Sequence, residues 1–222
     1  MLNKEKHRQL LFDILKEIFL KDFAKNIAFK GWTACYFLYW LDRFSTDLDF
    51  DILNNDSSIE ESVLKILKKY WEIKKWRNII LSYSNDDDNI KIDLNRSIWK
   101  NNEYEIVNFF WTDIYVQKKS TIYANKVVAL TERNTNRDIY DVWFFIKNNW
   151  EINEKIIIER TWKTKKEIFE EILNKLSKLG ENYKILDWLW EVLDAKQKVF
   201  VKEKLLKELI WKIEFEIKFN TF

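Results

Sequence analysis

The sequence predicts an α+β fold, with a mixed α/β core over residues 1–118 and a helical lobe over residues 119–222. Two observations predict this division. Up to residue 118 the apolar residues change between the spacing of helices and that of strands, whereas from Thr121 onward the helical spacing prevails. The chain has 222 residues, 47% of them hydrophobic and 33% charged, which is enough for one ample core or for two lobes.

Hydrophobic spacing places the elements of the first part. Leu11, Ile14 and Ile18 share one stripe of a predicted helix within residues 8–24. From Asp47 onward, "DLDFDIL" alternates acidic with apolar residues, as a half-buried strand does. The other predicted elements are a strand at 27–29 that ends before Gly31, helices at 33–41 and 57–70, and strands within 78–84, 90–95, 104–110 and 113–117.

The second part is predicted to consist of amphipathic helices. The clearest start signal is a capping box from Thr164 to Glu167, in which each side chain satisfies a backbone amide of the other residue. This helix is predicted to end at Gly180, because glycine readily takes the left-handed conformation that follows many helices. Two or three further helices are expected after it.

Composition restricts the class of protein. A net charge of +2 leaves nucleic-acid binding open without arguing for it, since dedicated nucleic-acid binders carry a stronger basic bias. Cys35 is the one cysteine, so no intramolecular disulfide can form, which is typical of a reducing compartment. No apolar run approaches the ~20 residues of a membrane span. We therefore expect a cytoplasmic protein with no membrane partner, and we expect its one histidine, His7, to be solvated.

Glycine and tryptophan occur in unusual numbers. The chain has 2 glycines, 12 tryptophans and no proline, whereas average usage gives about 15 glycines in a chain of this length. Trp32 lies in a predicted turn, Trp40 lies at the end of a predicted helix, and Trp150 follows another predicted helix end, which are places where glycine is common. We therefore hypothesise that the source organism translates UGA as glycine and that the standard code wrote tryptophan. The alternative is an AT-rich genome with unusual aromatic usage.

Three aspartates share one face of a predicted strand. Asp47, Asp49 and Asp51 alternate with apolar residues, so their side chains point the same way. Clustered carboxylates repel one another unless a cation neutralises them, and oxygen ligands favour Mg²⁺ or Mn²⁺. Two such ions activate an attacking hydroxyl and hold a triphosphate for in-line displacement. Taken alone, however, this pattern is more often a solvated strand face.

The order of elements strengthens the metal hypothesis. A glycine turn at Gly31, a helix and then an acidic strand is the order found in polymerase-β-type nucleotidyltransferases. In those enzymes the turn cradles phosphates, and the strand holds metal ions together with a third carboxylate from a neighbouring strand. Asp93 in "IKIDLN" suits that third position, because its apolar neighbours Ile92 and Leu94 would face the core.

A second cluster lies in "YANKVVALTERNTNRDIYDVWFF", residues 123–145. Asp138 and Asp141 are three residues apart and therefore lie on one side of a predicted helix. On spacing alone, Arg137 and these two aspartates are most simply a surface salt-bridge set. Lys126 is, on the same basis, most simply a solvated lysine.

This segment and "GWTACYFLYWLDRFSTDLDFDI" together resemble the AbiEii-type nucleotidyltransferase toxins, the family that includes the MenT toxins. The family's first motif reads approximately G-G-T-A-L and, further on, R-F-S-x-D-L-D-F, and its later motif reads K-L-x-A-L followed by R-D-x-Y-D. The first motif matches Gly31, Thr33, Ala34, Arg43, Phe44, Ser45, Asp47, Leu48, Asp49 and Phe50. The second matches Lys126, Ala129, Leu130, Arg137, Asp138, Tyr140 and Asp141.

The resemblance implies a polymerase-β-type core and a helical lobe that completes the active site. It implies Mg²⁺ or Mn²⁺, a nucleoside triphosphate substrate, an RNA acceptor (notably the tRNA 3′ end) and a separately encoded antitoxin. The implied metal ligands are Asp47 and Asp49, to which strand geometry adds Asp93. Lys126, Asp138 and Asp141 are implied to complete the catalytic set. The implied nucleotide-binding residues are Gly31, Trp32, Thr33, Arg43, Ser45, Lys126 and Arg137.

The chain departs from the family pattern at Trp32, where the family has glycine. An indole at this position would occupy space that the backbone and a phosphate share. If residue 32 is glycine, the expected function is transfer of a nucleotide to RNA. The alternatives are transfer to a small molecule and, if Trp32 is genuine, a catalytically silent nucleotide-binding protein.

Overall fold

The computed structural model describes residues 3–54, 56–70, 72–75, 79–83, 89–133, 135–180 and 183–219. The chain forms two compact units. The N-terminal unit comprises residues 1–98 and 103–118, and the C-terminal unit comprises residues 99–102 and 119–222. None of the described helices combines the length and the apolar character needed to cross a membrane.

The N-terminal unit contains a seven-stranded sheet with helices packed against it. Its helices are α1 (Lys4–Phe19), α2 (Gly31–Leu38) and α3 (Ser58–Leu67), and a 3₁₀ turn (Asp22–Asn26) precedes the first strand. Its strands are β1 (Ile27–Lys30), β2 (Leu48–Ile52), β3 (Glu72–Lys75), β4 (Ile79–Ser82), β5 (Asn89–Asn95), β6 (Tyr104–Phe109) and β7 (Thr112–Gln117). This mixture of helices and strands confirms the predicted α+β class.

The sheet is mixed and runs in the order β3-β4-β5-β2-β1-β7-β6. The central strand β2 is antiparallel to β1 and parallel to β5. β1 is parallel to β7, and the remaining neighbours are antiparallel. Because β2 is paired on both edges, two neighbouring strands fix its register and the direction of its side chains.

The apolar side of β2 belongs to the core. Leu48 and Phe50 are fully buried, and the ring of Phe50 lies 5.5 Å from that of Phe29 and 6.3 Å from that of Phe19 at the end of α1. Successive side chains of a strand point to opposite faces. Asp49 therefore points away from the layer that contains α1.

Helix α1 buries the one histidine of the chain. The helix begins after Asn3, which accepts a hydrogen bond of 3.0 Å from the amide of Lys6. Its apolar stripe includes Leu11 and Ile14, both fully buried. His7 lies on the same stripe, one turn before Leu11, and is also fully buried. The prediction of a solvated histidine is therefore wrong.

Strand β1 passes into α2 at Gly31 without a separate loop. Gly31 has a φ of +73°, in the left-handed region that glycine tolerates. The predicted glycine turn is thus the first residue of a helix, and Trp32 lies within that helix. After α2 ends at Leu38, Trp40 takes the left-handed conformation, with a φ of 61°.

The C-terminal unit is helical. Its helices are α4 (Lys119–Glu132), α5 (Asn136–Lys147), α6 (Glu154–Thr161), α7 (Lys165–Leu176), α8 (Ala195–Phe200) and α9 (Leu206–Phe219), with a π-helical turn (Val201–Leu205) before α9. The predicted capping box between Thr164 and Glu167 is present at the start of α7. That helix ends at Leu176, earlier than the predicted end at Gly180.

The end of α5 corrects the prediction for Trp150. Asn149, not Trp150, takes the left-handed conformation, with a φ of 52°. The Trp150 amide donates to the Phe145 carbonyl at 3.1 Å, and the two rings lie 4.5 Å apart. This is a Schellman motif, in which the residue after the left-handed one packs back on the helix. A large apolar side chain suits position 150, so this helix end gives no reason to expect glycine there.

Candidate active site

The sheet register brings predicted site residues together at its central strand. In the parallel ladder of β2 and β5, Asp49 pairs with Asp93. In the antiparallel ladder of β2 and β1, Asp49 pairs with Lys30. Asp47 lies immediately before β2, two residues from Asp49. Three carboxylates and one ammonium group are therefore neighbours at the start of β2.

The pKa of Asp49 reflects the negative charge at this point. Burial, and then the charges of Asp47 and Asp93, raise its pKa to about 6. Lys30 and Lys91 act in the opposite direction and do not cancel the increase. A bound cation would remove this repulsion, because an opposite charge nearby favours the ionised carboxylate.

The donor atoms fit a hard divalent cation, although they do not form a cage of their own. Aspartate oxygens suit Mg²⁺ and Mn²⁺. Across the described part of the chain, however, no three His, Cys, Asp or Glu side chains lie close enough to hold a metal ion. Mg²⁺ is commonly held by one or two carboxylates together with substrate phosphates. The arrangement around Asp49 fits a site in which one or two carboxylates and the substrate phosphates hold the ion together.

Gly31 lies directly against Asp49. A Cβ atom built at position 31 would be 2.5 Å from Oδ2 of Asp49, which is closer than real Cβ contacts come. The φ of +73° would also strain any other residue. The backbone conformation and the space beside the carboxylate therefore both require glycine here.

Two predicted nucleotide-binding hydroxyls contact each other beside this position. The Oγ atoms of Thr33 and Ser45 lie 2.8 Å apart, and both side chains are buried. Thr33 Oγ1 also donates to the backbone carbonyl of Asp47. Thr33 thus ties the first turn of α2 to the residue that precedes β2, which spacing alone did not predict.

Arg43, another predicted nucleotide-binding residue, is buried with only 2% of its surface exposed. Its Nη1 donates to the Phe44 carbonyl at 3.1 Å. Its guanidinium lies 4.8 Å from the ring of Trp32, in a cation–π arrangement. With tryptophan at position 32, one face of Arg43 is therefore covered by the indole.

Asp51 shares the acidic face of β2 but has a structural role. Its buried carboxylate forms an ion pair of 2.5 Å with Lys30. It also accepts hydrogen bonds from Asn95 and Tyr104 at 2.9 Å and from Gln117 at 3.3 Å. The alternating pattern in the sequence does not separate this carboxylate from Asp49, because its partners lie on four other strands.

His7 connects α1 to the residue before Asp47. Its Nε2 lies 2.9 Å from the Thr46 carbonyl, and its Nδ1 lies 2.5 Å from the Tyr83 hydroxyl. A carbonyl oxygen only accepts, so Nε2 donates, and Nδ1 of the neutral ring accepts from Tyr83. This contact joins residues far apart in the sequence, although the helical stripe that His7 shares with Leu11 indicates burial.

In the C-terminal unit, Lys126 of α4 lies between two aspartates of α5. Its Nζ is 2.5 Å from Asp138 and 3.4 Å from Asp141. Both aspartates are fully buried, and Asp138 also accepts hydrogen bonds from Arg133 at 2.8 Å and Thr135 at 2.5 Å. The alternative of a surface salt-bridge set is therefore wrong for these two aspartates.

The charge state of Asp138 follows from these contacts. Burial alone opposes its ionisation, but the Lys126 charge and the Arg133 hydrogen bond outweigh burial and lower the pKa to about 2. Asp138 is therefore an anion at neutral pH, able to accept hydrogen bonds but not to donate a proton. Its effect is to fix the position of the Lys126 ammonium.

Arg137, predicted to bind nucleotide, contacts a turn of the C-terminal unit. Its Nε donates to the Trp188 carbonyl at 2.9 Å. The adjacent Asn136 donates to the carbonyls of Lys184 and Asp187 at 2.8 and 3.1 Å. The start of the second motif therefore holds residues 184–188 in place.

Comparisons with known proteins identify a family for this chain. A family model described as nucleotidyl transferase AbiEii toxin, type IV toxin–antitoxin system, matches residues 13–208. A search of curated proteins found no match. The family match spans both motifs on which the resemblance depends.

Solved structures share the fold. JHP933 from Helicobacter pylori is 21% identical with a TM-score of 0.63, over 98% of this chain and 93% of that one. A second H. pylori protein, described as a candidate nucleotidyltransferase, is 23% identical with a TM-score of 0.65, over 98% and 96%. An antigenic nucleotidyltransferase-like protein from Paracoccidioides brasiliensis is 13% identical with a TM-score of 0.52, over 82% and 92%.

Proposed function

Because the chain belongs to the AbiEii nucleotidyl transferase toxin family of type IV toxin–antitoxin systems, we propose that it transfers a nucleoside monophosphate from a nucleoside triphosphate to RNA. We propose the tRNA 3′ end as the acceptor. Membership of the family implies a nucleoside triphosphate substrate and an antitoxin partner. The observation that best supports the proposal is the pairing of Asp49 with Asp93 at the centre of the sheet, where burial and then the charges of Asp47 and Asp93 raise the pKa of Asp49 to about 6.

Asp47, Asp49 and Asp93 are the proposed ligands for Mg²⁺ or Mn²⁺, each ion being held by one or two of these carboxylates together with substrate phosphates. Divalent ions bound by these residues would stabilise charge on the phosphates and would activate the attacking hydroxyl, as in a two-metal mechanism. The chain's own contribution is to hold the carboxylates in place: the ladder fixes Asp49 beside Asp93, and Thr33 fixes the Asp47 backbone.

The start of α2 is the proposed cradle for the triphosphate. The first amides of a helix have no partners within the helix and carry partial positive charge, so helix N-termini bind phosphates. Gly31 lets the backbone lie against Asp49 without a side chain in between. Ser45 and Arg43 are the proposed phosphate contacts from the loop that precedes β2.

Lys126 of α4 is the proposed cationic contact to the triphosphate, as a point charge. Its ammonium is held by Asp138 and Asp141, and the low pKa of Asp138 keeps that partner ionised. We propose that these aspartates act through Lys126. Arg137 is proposed to support the same segment through its contact with Trp188.

A second candidate function applies if residue 32 is genuinely tryptophan. The indole then covers one face of Arg43 at 4.8 Å and occupies the second position of α2. We would expect such a protein to keep its fold and to bind nucleotides weakly without transferring them. The identity of residue 32 therefore separates the active from the silent protein.

The experiment is a transfer assay with labelled nucleoside triphosphates, Mg²⁺ or Mn²⁺ and total tRNA. The protein is used as written and as Trp32→Gly. We expect the glycine form to label tRNA and the tryptophan form to label it far less. Labelling of a small molecule in place of tRNA would favour the small-molecule transferase, and no labelling by the glycine form would count against nucleotide transfer.

Matched variants in the Trp32→Gly background identify the chemistry. Asp49→Asn removes a proposed metal ligand while keeping the shape of the side chain. Asp113→Asn makes the same change at an exposed position of the same unit, where Asn108 donates to the side chain at 2.8 Å. Transfer should be lost in Asp49→Asn and unchanged in Asp113→Asn.

A further inference from the structure

Four tryptophans have a backbone conformation that suits glycine. The φ angles are 61° at Trp40, 68° at Trp111, 59° at Trp162 and 64° at Trp188. Bulky L-residues rarely adopt positive φ, because Cβ crowds the neighbouring carbonyl. Among the described non-glycine residues, only two others have positive φ. We infer that these four residues are glycines in the native protein, each encoded by UGA and read as glycine.

Two of the four end helices. Trp162 is the left-handed residue that closes α6, and its amide bonds to the Ile158 carbonyl at 2.9 Å. Trp40 follows α2, and the next residue, Leu41, donates back to the Cys35 carbonyl at 3.1 Å. A left-handed residue just after a helix is most often glycine.

The third lies in a β-hairpin. Phe109 and Thr112 are paired at the ends of β6 and β7, so Phe110 and Trp111 form a two-residue loop. Their φ angles are 47° and 68°. Positive φ at both central residues defines a type I′ turn, whose second position strongly favours glycine.

The fourth, Trp188, lies in the turn that the second motif holds. Its carbonyl accepts the hydrogen bond of Arg137 at 2.9 Å. Glycine at position 188 would keep this contact, since the backbone alone makes it. The left-handed conformation and the motif contact are therefore both compatible with glycine.

Exposure gives independent support. The four indoles are the most exposed of the large hydrophobic side chains described, at 89% for Trp40, 96% for Trp111, 89% for Trp162 and 78% for Trp188. Tryptophan usually buries a large apolar area and contributes through it. Side chains this exposed contribute little packing, so the fold does not need them.

Other tryptophans serve as internal controls. Trp143 is 2% exposed, with its ring 4.7 Å from that of Phe200. Trp150 packs 4.5 Å from Phe145 as part of the Schellman motif. Both indoles have structural roles, so the inference assigns UGG codons to these two positions. Residue 32 lies within helix α2, where the backbone conformation does not distinguish tryptophan from glycine.

The test reads codons and the native protein together. The gene is sequenced from the source organism, and peptides of the protein purified from that organism are analysed by mass spectrometry. We expect TGA at codons 40, 111, 162 and 188 with glycine in the matching peptides, and TGG at codons 143 and 150. TGG at any of the four codons, tryptophan in their peptides, or TGA at codon 143 or 150 would overturn the inference.

A second, independent observation concerns His7, and the geometry points to it as a positioning residue for Asp47; this inference rests on the proposed function. The β2 ladder begins at Leu48, one residue after Asp47. Two side chains bind the backbone carbonyls of the residues just before Leu48. His7 donates to the Thr46 carbonyl at 2.9 Å, and Thr33 donates to the Asp47 carbonyl.

The surroundings of His7 fix its donor atom. The ring is fully buried, 5.6 Å from the ring of Phe44 and 5.4 Å from that of Tyr83. The Tyr83 hydroxyl contacts Nδ1 at 2.5 Å. With Nδ1 accepting, Nε2 keeps its proton and its direction toward Thr46. The Tyr83 hydroxyl therefore donates to His7 Nδ1, and His7 Nε2 donates to the Thr46 carbonyl, next to the proposed metal ligand Asp47.

The test measures Mn²⁺ binding by electron paramagnetic resonance in the presence of a non-hydrolysable nucleoside triphosphate, with Trp32→Gly as the parent. His7→Phe keeps a ring and removes the donor, and His7→Gln keeps a donor. We expect Mn²⁺ affinity to fall about tenfold in His7→Phe and to recover in His7→Gln, with thermal unfolding recorded for both.

The readout separates this inference from the proposed transfer reaction. If the parent binds Mn²⁺ but does not label tRNA, the RNA-transfer proposal is contradicted. The Mn²⁺ affinities of the His7 variants would still test the positioning role of His7. Equal affinity in the parent and His7→Phe would overturn the positioning role. If His7→Phe does not fold, a tenfold loss in His7→Gln would overturn it as well, since that variant retains the donor.

Discussion

Asp49 offers a quantitative test of the candidate site in the metal-free protein. Its pKa is about 6 in the folded chain, raised first by burial and then by Asp47 and Asp93, against 3.8 without these effects. The folded state therefore binds more protons than the unfolded state between these two values, and folding stability falls as the pH rises through them. The full penalty is about 3 kcal/mol above pH 6, reduced to roughly 2 kcal/mol because Asp49 is partly exposed.

Asp49→Asn removes that penalty. In EDTA at pH 7.5 we expect the variant to be more stable than the parent by about 2 kcal/mol, with the difference shrinking toward zero near pH 4. Urea denaturation followed by circular dichroism measures both values. Adding Mn²⁺ with a nucleoside triphosphate should stabilise the parent and leave Asp49→Asn unchanged.

Asp113→Asn is the control, since it alters an exposed aspartate of the same unit. We expect no pH-dependent difference for this variant. The reasoning is refuted if Asp49→Asn equals or falls below the parent in stability at pH 7.5 in EDTA. Such a result would mean that burial and the neighbouring carboxylates do not penalise the ionised form of Asp49.

Three further predictions concern stability and are measured by denaturation. Because the pKa of Asp138 is lowered to about 2, lowering the pH from 5 to 2 should cost about 2 kcal/mol, and Lys126→Met should remove most of that dependence; an unchanged slope would contradict the ion pair. Asp51→Ala should destabilise the N-terminal unit by about 3 kcal/mol, because it leaves the buried Gln117 and three half-buried donors without their shared acceptor; a neutral result would contradict this network. Trp162→Gly should stabilise the protein by about 1–2 kcal/mol, whereas Trp143→Gly should destabilise it by about 3–5 kcal/mol, and effects of equal sign would contradict the assignment of the left-handed positions.

Local patterns predicted much of the fold. The alternation of "DLDFDIL" indicated β2 and its apolar face, and Leu48 and Phe50 are buried as expected. The capping box at Thr164 marked the start of α7. These features depend on residues close in the sequence, so a single sequence contains the information for them.

Long-range contacts were not predictable in the same way. His7 looks polar and solvated in sequence, but its partners Thr46 and Tyr83 come from distant segments. Asp51 and Asp49 look equivalent in the alternating pattern, yet the Asp51 carboxylate accepts hydrogen bonds from Asn95 and Tyr104 on two other strands. Their roles depend on strand order, which hydrophobic spacing does not specify.

Backbone conformation identifies which tryptophan positions suit glycine, whereas composition shows only that tryptophan is in excess. The excess of tryptophan over glycine is visible in the sequence, but the individual positions depend on φ. Trp150 follows a helix as Trp40 does, yet Asn149 takes the left-handed conformation in that turn. Only the structure distinguishes these two helix ends.

The most direct test of the central claim is the coupling between nucleotide and metal at the aspartates of β2 and β5. Isothermal titration of a nucleoside triphosphate into the Trp32→Gly protein, with Mg²⁺ and then with EDTA, measures it. We predict that binding requires the metal and is lost in Asp93→Asn, because ion and phosphates complete each other's coordination. Equal nucleotide affinity in EDTA, or an unchanged affinity in Asp93→Asn, would contradict the account.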